Sequence, residues 1–341
     1  MSKFINKISF FTDKDLTGIA HTPLEFLRKL NGLCIFDITG IDTDKTRVVT
    51  TLIHGNEPSG FIAIHRWLKQ KIKPAVNIRF IICNVEAAQL SPEFSHRYLH
   101  FGQDLNRFFS NENDKSAIAK RARKIAKAVS EVKPEAVIDL HNTSGISPAF
   151  GVAIDGGEQA LDLISLFTNK VILTGLRVGA IMEQSFAAPI VTIECGGAGQ
   201  IESHQLAYIG LVNYVSDVNI FDRHASTVDI HEHPCRVELL PHTTVAFGHE
   251  HLPTADVTLR ADAEHLNNKL TPAGEFIGWY EGDAETLPLT AKNEQGIEQF
   301  NSMFSLQKGC IFTKQSLQIF MATTDPDIAS KDCLFYATFE S

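Results

Sequence analysis

The feature that most restricts this chain is a rhythm. Over its first two-thirds, short β-branched apolar runs alternate with segments whose apolar residues recur at helical spacing. The runs are RVVTTLI (47–53), NIRFIIC (77–83), EAVIDL (135–140), KVILTGL and PIVTIEC (189–195). Their unbroken hydrophobicity suits strands covered on both faces, as in a parallel sheet. Between them, Pro58 and Ser59 open a segment with Phe61, Ile64, Leu68 and Ile72 on one helical face. A second helix carries Ile118, Ile125 and Val129 and stops near Pro134; a third, more apolar, is expected over 203–221. Strands alternating with helices predict an α/β fold, a doubly wound, mostly parallel sheet with helices on both faces. The rhythm breaks near residue 222. Beyond it lie short strand-like runs (CRVELL, TTVAFG, ADVTLR, EFIGWYEG, GCIFTK, LQIFMATT) between Gly, Pro, Asn and Asp. We therefore expect two domains, 1–222 and a smaller, mostly-β domain over 223–341.

Composition narrows the classes. A chain of 341 residues with 44% hydrophobic and 21% charged residues has ample material for a core. A formal net charge of -9 argues against a nucleic-acid partner. No stretch approaches the roughly 20 apolar residues that cross a bilayer, and Lys3, Lys7 and Asp13 interrupt the N-terminus before a signal peptide can form. The six cysteines are scattered and form no CxxC pair, as expected of reduced, buried thiols. The expectation is a cytoplasmic protein with a small-molecule partner and no membrane or nucleic acid, in a form that leaves a homo-oligomer open.

In an open parallel sheet, ligands collect at the carboxyl ends of strands. Here RVVTTLI runs into His54-Gly55-Asn56-Glu57, EAVIDL into His141-Asn142, and PIVTIEC carries Glu194 near its end. Distant parts of the sequence thus deliver imidazoles and carboxylates to one edge. Two imidazoles and a carboxylate, with a fourth position open for water, form the ligand set of a hydrolytic zinc site. His54, Glu57 and His141 supply that set, and Glu194 is a spare carboxylate able to move a proton. One zinc ion per chain is the expectation.

These segments resemble the succinylglutamate desuccinylase/aspartoacylase family, relatives of the zinc carboxypeptidases. HGNE is similar to the family's first ligand pair, DLHN to its third ligand, and TIECGG to the segment of the catalytic glutamate. RYLHFGQDLNRFF resembles its arginine-tyrosine followed by aspartate-leucine-asparagine-arginine, with a longer gap than in aspartoacylases. The resemblance implies that 1–222 is a zinc-dependent catalytic domain cleaving an N-acyl amino acid. It implies that Arg97 stabilises the oxyanion, that Asn106 and Arg107 grip a carboxylate, and that Asn142 joins the substrate contacts. Gln184 stands where aspartoacylases carry an arginine, so a substrate other than N-acetylaspartate is expected. Tyr280 is the candidate for the substrate-contacting tyrosine of the C-terminal domain.

Each residue also has a plainer role. Glu57 beside Pro58 suits a helix start, Arg107 suits a surface pair with Asp104, Arg97 suits a solvated position, and Cys195 suits a buried thiol. HEHP and GHEH suit the turns of a surface strand. At the level of function the alternatives are a metallocarboxypeptidase for short peptides or peptidoglycan fragments, and a silent zinc or small-ligand binding protein. A glutamate within an apolar strand is costly without a role or partner, and Glu194 together with Arg97 weighs against the silent version, since a binder needs neither.

Overall fold

The computed structural model describes residues 7–100, 102–110, 113–222 and 228–340. The chain divides into two compact units, one of residues 1–142, 149–171 and 177–229, the other of 143–148, 172–176 and 230–341. The boundary expected at 222/223 abuts residues 223–227, which lie outside the described residues.

The first unit is built on β1 (Ile8–Thr12), α1 (Pro23–Lys29), β2 (Leu33–Ile38), β3 (Asp42–Thr51), α2 (Ser59–Gln70), β4 (Val76–Ile82) and α3 (Val85–Ala88). It continues through α4 (Ala117–Ser130), β5 (Ala136–Thr143), β6 (Phe150–Ala153), α5 (Glu158–Ser165), β7 (Lys170–Leu173), β8 (Ile190–Gly197) and α6 (Ile201–Ser216). Its strands are ordered β1-β2-β4-β3-β5-β8-β6-β7 in one sheet. At its centre β3 runs parallel to both β4 and β5, with Val49 beside Phe80 on one side and Ile138 on the other. The sheet is mostly parallel; β2 against β4 and β6 against β8 run antiparallel.

Alternate side chains of a strand face opposite ways, and the helices take both faces accordingly. Phe36 and Phe80 meet Phe26 of α1 and Trp67 of α2 on one face. Their neighbours Ile35 and Ile81 pack with Val48, Val137 and the Ala122, Ile125 and Val129 stripe of α4 on the other. Fully buried Arg47 of β3 fastens the end of α6, donating to the carbonyls of Tyr214 (2.6 Å), Asp217 (2.7 Å) and Val218 (3.1 Å). These bonds satisfy carbonyls that a helix C-terminus leaves unpaired.

Several elements differ from the sequence expectation. Ile72 lies past the end of α2 and is 50% exposed, because Lys71 turns left-handed (φ 54°) and closes the helix. The helix expected over 203–221 spans 201–216, ending where Asp217 takes extended geometry. Strands β1, β2 and β6 were not marked by the rhythm. The second unit contains two five-stranded sheets. One is ordered Leu270–Thr271, Leu317–Phe320, Phe335–Phe339, Cys235–Leu239, Leu289–Lys292; the other is Val245–Gly248, Val257–Arg260, Phe276–Trp279, Cys310–Thr313, Phe304–Gln307. Val237, Ile277, Ile311 and Ile319 belong to its core. All six cysteines are free thiols, and among the described residues no helix is long and apolar enough to cross a membrane.

Candidate metal centre and active site

Strand β3 ends at Thr51, and the chain turns to present His54 and Glu57 before α2 begins. The turn depends on glycine. A Cβ on Gly55 would lie 2.5 Å from the Ala88 nitrogen and 2.6 Å from the His96 carbonyl oxygen. This close approach lets the Gly55 N–H donate to the Arg97 carbonyl (2.9 Å), tying the two loops together. His141 projects from β5, and Glu194 from β8.

His54, Glu57 and His141 are buried, and one ligating atom from each lies within 4.8 Å of the others. The Nδ1 atoms of His54 and His141 lie 2.8 and 2.6 Å from the two oxygens of Glu57. Each Nε2 meets a further carboxylate: His54 that of Asp104 at 2.7 Å, His141 that of Asp139 at 2.7 Å. Asp139 is steadied by the Thr50 hydroxyl, which donates to its other oxygen at 2.6 Å. A carboxylate on the remote nitrogen sets the tautomer and makes the near nitrogen a better ligand. The donor set therefore fits a small dication: two oriented imidazoles and one carboxylate, buried together. Neither Asp104 nor Asp139 was singled out from sequence. Asp139 had a readable signal, since residues two apart on a strand share a face; Asp104 stands in the aspartate-leucine-asparagine-arginine motif, but its pairing with His54, 50 positions away, had none.

The fields within the group are strong. Burial favours neutral Glu57, but His54 and His141 outweigh it and hold its carboxyl well below the usual range. Burial and Arg97 press the His54 imidazole toward neutrality; Asp104 and Glu57 more than offset them and raise its pKa. Asp139 and Glu57 likewise overcome burial at His141 and lift it well above the ordinary value. Glu194 differs. Burial pushes its pKa up to about 7, with His141 opposing and Glu57 reinforcing the rise. Its Oε2 is buried and has no hydrogen-bond partner. A lone carboxylate oxygen kept dry and poised near neutrality suits the exchange of protons.

Arg97 is held on Asp104 Oδ2 through Nε (3.2 Å) and Nη2 (2.9 Å), and its Nη1 donates to Glu57 Oε1 at 3.3 Å. Asn106 Oδ1 accepts from the Ile181 N–H (3.0 Å), and Arg107 adds to the fields that hold Asp104 low. Gln184 follows this segment and lines a cavity of about 580 Å³ with Ala153, Asp155, Met182 and Pro189. Asn142 was expected among the substrate contacts; its amide is instead engaged by the protein. Its Oδ1 accepts from the Ser59 N–H (2.9 Å), and its Nδ2 donates to Ser59 Oγ and to the Gly196 carbonyl (2.8 Å each). Tyr280 belongs to the second unit, where its hydroxyl donates to the Thr286 carbonyl at 2.7 Å.

Residues 44–212 match the family model of the succinylglutamate desuccinylase/aspartoacylase catalytic domain. Among solved structures, a succinylglutamate desuccinylase from Vibrio parahaemolyticus is similar at a TM-score of 0.57 and 14% identity, over 93% of this chain and 95% of that one. Murine aminoacylase 3 follows at 0.54 and 16% identity, over 87% and 96% of the two chains. A succinylglutamate desuccinylase/aspartoacylase from Rhodobacter sphaeroides gives 0.54 and 12% identity, over 86% and 84%. At such identities the likeness is one of fold. No curated protein matches the sequence.

Proposed function

The chain belongs to the succinylglutamate desuccinylase/aspartoacylase family of hydrolytic deacylases, and from that premise we propose a zinc-dependent amidohydrolase that cleaves an N-acyl amino acid into a carboxylate and a free amino acid. One observation carries the reading. A buried ligand set, His54, Glu57 and His141, has both imidazoles braced by carboxylates and shares its fields with a buried glutamate whose Oε2 has no partner. A zinc ion held by that set would polarise the substrate carbonyl and acidify a water molecule. Glu194 takes the water's proton at Oε2 and delivers it to the nitrogen of the departing amine. Burial suits it to both halves of that task, because a pKa of about 7 leaves a base strong enough to accept the proton and a conjugate acid strong enough to give it up.

Arg97, anchored on Asp104 and within 3.3 Å of Glu57, faces the oxygen of the amide as negative charge develops there. Arg107 and Asn106 take the carboxylate of the amino-acid half, the guanidinium through its planar fork. Gln184, where aspartoacylases carry an arginine, directs the choice away from N-acetylaspartate.

The test is amine release by the zinc-loaded protein on a panel of N-acetyl and N-succinyl amino acids with dipeptides alongside. Turnover of one or more N-acyl amino acids, lost on chelation and restored by zinc, is the expected result. Turnover of dipeptides alone would point to a carboxypeptidase, and zinc binding without any turnover to a binding protein.

A further inference from the structure

Asn142 occupies a singular place. It follows the ligand His141 on β5, its N–H donates to the ligand Glu57 (Oε2, 3.3 Å), and its amide reaches the Gly196 carbonyl two residues past Glu194. It therefore touches the metal-binding group and the strand that carries the proposed base. We propose that Asn142 is a positioning residue for Glu194, and that Ser59 and His204 set its amide in the working orientation.

The hydrogen bonds leave that orientation little freedom. Oδ1 must face the Ser59 N–H, so both Nδ2 hydrogens are directed at Ser59 Oγ and Gly196 O. Ser59 Oγ, accepting from Nδ2, directs its own hydrogen to the nearest remaining acceptor, His204 Nδ1 at 2.7 Å. Ser59 is wholly buried, so an amide turned the other way would set two donors, Ser59 N–H and Nδ2, against each other with no water to relieve them. The far end of the chain needs the tie. Gly196 sits at φ 102°, a left-handed conformation in which glycine alone is unstrained, and there β8 leaves its regular course. Two residues earlier, Glu194 Oε2 has no hydrogen bond of its own to fix it. Where that oxygen lies therefore depends on the strand that carries it and on the packing around it, and the Gly196 carbonyl is where Asn142 grips that strand. A displacement of about 1 Å at a reacting group costs on the order of 10²-fold in rate.

The inference rests on the reading of Glu194 as the base, and the test separates the two. Asn142→Asp keeps the shape but removes both donors, setting an oxygen against the Gly196 carbonyl. Hydrogen–deuterium exchange needs no substrate: the amides of 195–197 should exchange at least about 10-fold faster, with those of β3 and β4 unchanged. Protection equal to wild type at 195–197 would overturn the proposal, whatever the activity. With the best substrate of the panel, Asn142→Asp should lower kcat about 10²-fold with KM little changed. In a Glu194→Gln background the same substitution should cost almost nothing further, because its effect passes through Glu194. Equal losses in both backgrounds would also overturn it. Ser59→Ala, which removes only a hydroxyl and is the milder change, should give the same pattern at about 5-fold.

Discussion

At the scale of single residues, the proposed function assigns some groups to hold a metal and others to move protons, and substitution should separate them. His141→Ala removes a ligand, so zinc should be lost on dialysis. Asp139→Asn or Asp104→Asn removes only the brace on an imidazole, and zinc affinity measured against a chelator should fall about 10–100-fold. Full affinity in both Asn variants would mean that the braces serve only the fold. Glu194→Gln should keep its zinc and lose about 10²–10⁴ in kcat, since the amide has no basic oxygen to take a proton; near-normal turnover would retire Glu194 as the base. Arg107→Ala should chiefly raise KM for carboxylated substrates, with lysine restoring only part, because an ammonium cannot form the fork. The convergence of His54, Glu57, His141 and Glu194 was legible because each stands at or near the end of an apolar strand. Asp104 and Asn142 were less so. Both stand in quoted motifs, but their hydrogen-bond partners lie 50 and 83 positions away in sequence, which no local pattern encodes.

At the scale of elements, the sheet is held to its helices by buried arginines as well as by apolar packing. Arg79 of β4 donates to the Ala128 carbonyl of α4 (2.9 Å) and pairs with Asp37 and Glu131. Arg47 does the same for α6, with Nε on Glu135 at 2.8 Å. Its side chain is 0% exposed, so Arg47→Met strands three carbonyls and part of a carboxylate. The expected loss is about 3–5 kcal/mol in urea unfolding, and lysine should recover little, since one ammonium cannot serve carbonyls on successive residues. A loss under about 1 kcal/mol would show that α6 is secured by its contacts with α2 instead. The strands at the centre of the sheet were readable because burial on both faces leaves an unbroken apolar run: every residue of β5 is buried. Strand β1 was not, since it holds the edge and its side chains are only half-buried or exposed. Strand β6 is four residues long and includes Gly151, which interrupts its apolar run.

At the scale of the whole molecule, the site's charges should make stability depend on pH in a way that can be traced to one residue. The folded pKa of Glu194 is about 7, against an ordinary 4.5. Between those values the native state holds a proton that the unfolded chain has released, so unfolding free energy falls as pH rises. The favourable contribution is complete below pH 4.5 and gone above about 7. A gap of that size corresponds to roughly 3 kcal/mol. His54 and His141, both raised, add losses of the same sign above the ordinary histidine value of 6.5. Glu57 and Asp104, both depressed, act oppositely: their contribution is present above the ordinary carboxylate range and lost on acidification. In chelator-treated protein, stability should therefore decline from pH 5 to 7, and Glu194→Gln should remove most of that decline. The comparison is of slopes within each protein, so any constant offset from the substitution cancels. Trp67 lies in the first unit and Trp279 in the second, and these are the two tryptophans of the chain. A Trp279→Phe background thus lets fluorescence report the unit that contains the site. Zinc should reverse the trend, because it binds the deprotonated imidazoles and favours ionised carboxylates, and so holds more tightly as pH rises. Parallel slopes in Glu194→Gln and its parent would mean that Glu194 is already ionised in the fold, and the proton it is proposed to carry would have to reside on another group.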